Sequence, residues 1–200
     1  MISNKLFGAF PTLSSQRMVL RQITEDDFED VYNLYADERV FTFCGMLNKT
    51  NKAVILSSID HFDRDFRQRK RIKWGIALKE NEEKVVGIIE ALDYISHINQ
   101  ITVGYFIHPD FWNRGIASEA LRILVYFLFE DVGINRIQAE VMPRNIYSKR
   151  VLLKNGFQLE GTLRQATLWV GKGLIDLELY SILASDYAEL KKARALEAPK

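Results

Sequence analysis

A chain of 200 residues, 48% of them hydrophobic, is long enough to bury a sizeable core and shows no linker leading to a second domain. Its 27 lysines and arginines face 26 acids, a net charge of +1, so no overall field draws it to nucleic acid or to an anionic membrane. The single cysteine, Cys44, excludes an internal disulfide and a cysteine-built zinc site; with no basic-then-apolar leader and no bilayer-length apolar run, a soluble cytoplasmic chain is expected, one domain over 1–200.

Residues 1–16 are mixed in character and read as a lead-in. Residues 17–21 alternate polar with apolar, a first strand. Thr24 then stands as an N-cap, with Asp27 at the reach-back position of a capping box, ahead of a helical stripe of Phe28, Val31, Tyr32, Leu34 and Tyr35. Phe41, Phe43 and Cys44 form a loop-like patch ending near Gly45, in which the thiol reads as a buried hydrophobe before it reads as a nucleophile. Val54, Ile55, Ile59, Phe62 and Phe66 recur at helical spacing over 50–70. That helix ends in Arg64, Arg67, Arg69, Lys70 and Arg71, cations suited to the negative end of its dipole or to an acidic partner. The apolar runs 73–78 and 85–90, joined by a charged turn, form an antiparallel pair. Glu90 sits among apolar neighbours: one phase of the pleat turns it to solvent, the other holds it inside a cleft.

The chain is organised around 103–133. An apolar strand, 101–107, breaks at His108-Pro109, crosses Asn113, Arg114 and Gly115, and enters an apolar helix over 117–131 that Gly133 ends. A glycine-bearing loop ahead of a helix aims backbone N–H groups and the positive end of the dipole at one point, a site for an anion. An ordinary strand-to-helix connection reads the same way, and neither G-x-G-x-x-G nor G-x-x-x-x-G-K-[ST] is present. Residues 134–141 alternate as a second strand, closed by Pro143, so the two strands are parallel across a right-handed crossover. Asn145 then caps a short helix that Asn155-Gly156 closes. Two alternating runs over 166–182 flank Gly171-Lys172-Gly173, a hairpin, and Ser185 caps a last helix that decays into a frayed, charged tail.

Two of these stretches, in this order, resemble the GNAT acetyltransferases. Gly115 and Ala117 fill the small positions of that family's coenzyme A loop, Q/R-x-x-G-x-G/A, and Trp112 at its head is how RimJ/RimL-type protein N-terminal acetyltransferases write it. The string N-x-x-S-x-x-x-x-x-K-x-G-F from Asn145 to Phe157, with Glu160-Gly161 and Arg164 after it, is similar to the family's carboxy-terminal motif. The resemblance covers about 17–183, leaving 184–200 as a tail. It implies an α+β fold, a twisted mixed sheet flanked by helices whose two central parallel strands splay apart around acetyl-CoA. Backbone groups of Phe106 and Ile107 would then pair with the pantetheine arm. Asn113, Arg114, Gly115, Ile116, Ala117 and Ser118 would hold the diphosphate, Asn145 would contact pantetheine, and Ser148 would lie near the sulfur. The implied reaction is transfer of acetyl to a primary amine by direct attack in a ternary complex, above all to the α-amine of a protein or peptide, ribosomal proteins included. Family members often dimerise, so a homodimer is one expectation, although no local feature demands it.

The chemistry sets its own demands. An amine attacks a thioester only when neutral, and an α-amino group with a pKa of about 7.7–8.0 loses its proton far more readily than a lysine near 10.4. The usual carboxylates are absent: Thr102 and Thr167 stand where relatives carry Glu, and Leu152 where many carry Tyr. Ser148 is left as donor to the departing thiolate, and Glu90 or an ordered water as the base. His108 reads as part of a strand end; His61 and His97 have no partner at ligand spacing, so no metal is expected. Two further readings remain: a small-molecule amine acetyltransferase for a polyamine, amino acid or antibiotic, which a small closed acidic pocket would mark, and a CoA-binding module without catalysis.

Overall fold

A computed structural model describes residues 2–44 and 46–197; Gly45 and the last three residues of the tail lie outside the described residues. In chain order the elements are α1 (Ile2–Phe7), β1 (Leu13–Ser14), β2 (Met18–Gln22), α2 (Phe28–Ala36), α3 (Lys52–Arg67), β3 (Arg71–Leu78), β4 (Asn81–Ile95) and β5 (Gln100–Ile107). They continue with α4 (Ile116–Tyr126), β6 (Arg136–Val141), α5 (Ile146–Lys154), β7 (Gln158–Trp169), β8 (Gly173–Leu183) and α6 (Ala184–Glu197). The strands form one mixed sheet in the order β1-β2-β3-β4-β5-β6-β8-β7.

Every neighbouring pair is antiparallel except β5 with β6. That parallel pair is in register only from Gln100 opposite Arg136 to Thr102 opposite Gln138. Beyond it β5 stays paired with β4 out to Ile107, and β6 with β8 out to Val141, while the two part from each other. The central parallel strands thus open into a V, as the family resemblance implies. Arg136 ties its closed end: Nε donates to Gln100 Oε1 at 2.9 Å, Nη1 to Glu160 at 2.6 Å and to Ser181 Oγ at 3.1 Å, joining four strands.

Both faces of the sheet are covered. Ile72, Trp74, Ile89, Ile101 and Val103 pack with Ala120, Leu121 and Leu124 of α4, whereas Ile88 packs with Val31, Leu34 and Tyr35 of α2 and Ile55 and Ile59 of α3. Periodic burial on one helical stripe explains α4. Its last turn widens into a π-helix over Phe127–Val132, with Phe127, Leu128 and Val132 all buried, and Gly133 ends it in the left-handed region at φ 85°. Asp27 does reach back as the capping pattern requires, accepting from the Thr24 N–H at 2.8 Å, and Arg21 grips the same carboxylate at 2.7 and 2.9 Å.

Some elements differ from the expectations. The lead-in contains α1, whose Leu6 and Phe7 are buried in the core; six residues are too few to show a period. On α3 the buried residues are Ile55 and Ile59, packed against α2 and Ile88, while Val54, one residue off that stripe, is exposed. The predicted terminal hairpin is present but longer, and β8 rather than β7 lies against β6.

Candidate active site

A cleft of about 600 Å3 opens beyond the V, between the end of β5 and α5. Every expected cofactor residue lines it apart from Arg114: Phe106 and Ile107 from β5, Asn113 and Gly115 from the loop, Ile116, Ala117 and Ser118 from the first turn of α4, and Asn145 and Ser148 from the start of α5. The Arg114 side chain lies over the Phe111 ring and lines a separate depression of about 410 Å3 with Arg17 and Lys79.

The loop takes its shape from a few local bonds. The strand ends at His108, whose Nδ1 accepts from the Asp110 N–H at 3.3 Å, a structural use of that imidazole. The Trp112 indole N–H donates to the Ile107 carbonyl at 2.7 Å, fastening the loop to the strand it leaves. Asn113 and Gly115 both sit at positive φ, 59° and 75°. A Cβ on Gly115 would meet nothing within 4 Å, so the space above it is open. With Gly115 as N-cap, no side chain satisfies the start of α4, and the N–H groups of its first turn have no intrahelical acceptor. These residues fit a diphosphate: open space, uncapped donors and the positive end of a helix dipole meet in one place. From behind, Glu119 is held by Ser15 Oγ at 2.6 Å and Arg17 at 3.1 Å, and Arg17 also donates to the Arg114 carbonyl at 3.4 Å.

At the other wall, Asn145 caps α5 by accepting from the Ser148 N–H at 3.1 Å, and its amide donates to Ser148 Oγ at 3.0 Å. The serine hydroxyl is thereby fixed with its own hydrogen free to donate. Tyr105 lines the cleft as well and donates to the Ser148 carbonyl at 3.4 Å; burial pushes its phenol up to about 12. Reading the sequence misses this residue, because a tyrosine in an apolar strand carries no motif and the pleat has to be phased to see where it points.

The end of the cleft away from the loop at Gly115 is lined by Val40, Thr42, Phe43, Cys44 and Phe106, with Arg39 beside them. Burial, with the Glu90 charge behind it, pushes the Cys44 thiol up to about 12, and the thiol donates to the Val40 carbonyl, so it is not a nucleophile at neutral pH. Glu90 is buried and does not line the cleft. Its Oε2 lies 3.1 Å from Lys73 Nζ and 3.6 Å from Arg71, though no hydrogen bond to it is aligned, and a Cβ on Gly104 would stand 3.2 Å from Oε1. Thr102 is engaged by Gln138 at 3.3 Å. Among the described residues lining the cleft none is Asp, Glu or His; the formal charges are Arg39, which is paired with Asp37, and Arg150. Among the described residues no three potential ligands converge on a metal position, and no described helix is long and apolar enough to cross a membrane.

Residues 17–158 match the Acetyltransferase (GNAT) domain family. The uncharacterized N-acetyltransferase YoaA of Bacillus subtilis (strain 168) is 34% identical over 174 residues, covering 87% of this chain and 97% of that protein. The ribosomal-protein-serine acetyltransferase of Escherichia coli (strain K12) is 30% identical over 115 residues, 57% of this chain and 62% of that one. Among solved structures, a GCN5-related N-acetyltransferase from Brucella melitensis superposes with a TM-score of 0.81 at 21% identity, covering 96% of this chain and 87% of that one. With the splayed strands, the uncapped loop and the Asn145–Ser148 wall in place, these matches put the chain in the GNAT acetyltransferase family, as an acetyl-CoA-dependent N-acetyltransferase.

Proposed function

We propose that the acceptor is the α-amine of a peptide or protein N-terminus. The observation that carries this reading is the absence of any carboxylate or imidazole among the described residues lining the cleft. With no base at hand, an acceptor with a pKa of about 7.7–8.0 is already partly neutral at working pH, whereas a lysine near 10.4 is not. A polyamine is disfavoured on the same ground, since its several cations would meet Arg39 and Arg150 and no acid. The apolar wall of Val40, Phe43 and Phe106 suits the first side chain of a peptide, and the likeness to a ribosomal-protein-serine acetyltransferase supports the class. In this reading water takes the amine's proton, because the Glu90 carboxylate is committed to Lys73 and Arg71. Ser148 donates to the departing sulfur.

Acetyl-CoA-dependent thiol release with short peptides bearing free or blocked N-termini, with free lysine side chains, and with spermidine tests the proposal. Free N-termini should give kcat/KM at least about tenfold above the others near neutral pH, in line with the difference in neutral fraction. Equal or better turnover of spermidine would reject the α-amine; binding of acetyl-CoA with no turnover of any acceptor would favour the CoA-binding module.

A further inference from the structure

Glu119 is the one acid in the first turn of α4, and it is buried. Its own N–H donates to the Gly115 carbonyl at 3.0 Å, so the donors left over at this helix end include those of Ile116, Ala117 and Ser118. Those three residues line the cleft, and Glu119 does not. Helical side chains lean toward the N-terminus, so the Glu119 carboxylate reaches back along the turn that fits a diphosphate. Two anions at one helix end repel each other and compete for the same partial positive charge. A buried acid in this turn therefore opposes the cofactor unless its charge is cancelled.

The residues leading into β2 cancel it. Ser15 Oγ accepts from the Arg17 and Met18 N–H groups at 3.1 and 3.2 Å, which leaves its hydrogen to donate to Glu119 Oε1 at 2.6 Å. Arg17 Nη1 donates to Oε2 at 3.1 Å. The other Arg17 contact, to the Arg114 carbonyl at 3.4 Å, lies beyond the ordinary N–H···O range, so the guanidinium acts here through its charge. The acid is desolvated while its partner keeps more than half of its side chain in solvent.

We propose that Arg17 is a positioning residue for the coenzyme: by cancelling the Glu119 charge from the far side of α4, it keeps the helix end positive toward the cleft. The inference rests on the acetyl-CoA assignment with its diphosphate at Gly115 to Ser118, and is independent of which amine is the acceptor. Two consequences separate it from a packing role. Arg17 matters to coenzyme affinity only while Glu119 carries its charge, and the Glu119 carboxylate itself contributes nothing to that affinity.

Calorimetric titration with CoA of wild-type protein, Gly115→Ala, Arg17→Met, Glu119→Gln and the double variant Arg17→Met/Glu119→Gln tests the proposal. Arg17→Met should raise Kd about tenfold, whereas Glu119→Gln should bind CoA as tightly as wild type or more tightly. The double variant should return to within about threefold of wild type, a rescue that a merely lost contact does not allow. In turnover, the KM for acetyl-CoA should follow Kd through the series while kcat stays constant. Wild-type affinity in Arg17→Met overturns the proposal. So does Glu119→Gln binding more weakly than wild type, or a double variant well outside the threefold window. If Arg17→Met alone does not fold, the last two comparisons still decide, since neither of those variants leaves a buried charge unpaired. Wild-type protein that takes up no CoA, or Gly115→Ala that binds it as tightly as wild type, removes the assignment beneath and this inference with it.

Discussion

Gly115 holds a backbone angle of 75° at a point where an added Cβ would touch no protein atom. An alanine there costs roughly 1–2 kcal/mol of backbone strain, or about 2–8 °C in Tm, and its methyl group projects into the space that fits a diphosphate. Gly115→Ala should therefore raise the KM for acetyl-CoA about tenfold or more by steady-state kinetics, a larger effect than its thermal shift implies. Glu90 makes the opposite case. Glu90→Gln leaves the buried Lys73 ammonium without its counter-charge, which costs about 3 kcal/mol and should show as a lowered Tm. The acid limb of kcat/KM against pH should remain, because the carboxylate does not line the cleft; disappearance of that limb would make Glu90 the base after all. Both phases of the pleat are open for Glu90 in the sequence, since a one-residue slip reverses the face of every side chain in a strand. By contrast, Gly115, Asn145 and Ser148 are legible there because caps and turns are local chemistry.

Among the elements, α5 and the closed end of the V carry the site's geometry. Asn145→Ala removes the cap of α5 and the amide that fixes Ser148 Oγ, so about 1 kcal/mol of stability should be lost together with a fall in kcat that Ser148→Ala does not deepen. Additive losses in the double variant would separate the two residues. At the closed end, the Arg136 fork and Ser181 hold the Glu160 carboxyl at about 2, well below its ordinary range. A depressed carboxyl contributes stability that is present above its unfolded value, about 4.3, and is lost as pH falls from there through about 2. The pair is partly exposed, so the effect is modest. Wild-type Tm should fall across that window more steeply than that of Glu160→Gln, by calorimetry; parallel curves would remove the pair from the account of acid stability. The sequence shows the two parallel strands and their crossover helix through hydrophobic period and the Gly133 stop. It does not show the insertion of β8 between β6 and β7, because strand order depends on contacts far apart in the chain.

At the scale of the molecule, a near-neutral chain presents a cleft whose described lining carries cations and no acids. Electrostatics of this kind favour an anionic donor, the diphosphate, and an acceptor that arrives neutral. The fold class follows from two short motifs in the right order, whereas the polarity of the cleft follows only from the folded arrangement. The central claim is that the amides from Gly115 to Ser118 receive the diphosphate of acetyl-CoA in the open V. The most direct measurement is a crystal structure of the protein with CoA. Diphosphate oxygens should lie about 3 Å from those backbone nitrogens, with the thiol beside Ser148. A diphosphate bound elsewhere, or an empty V in crystals grown with saturating CoA, would contradict it.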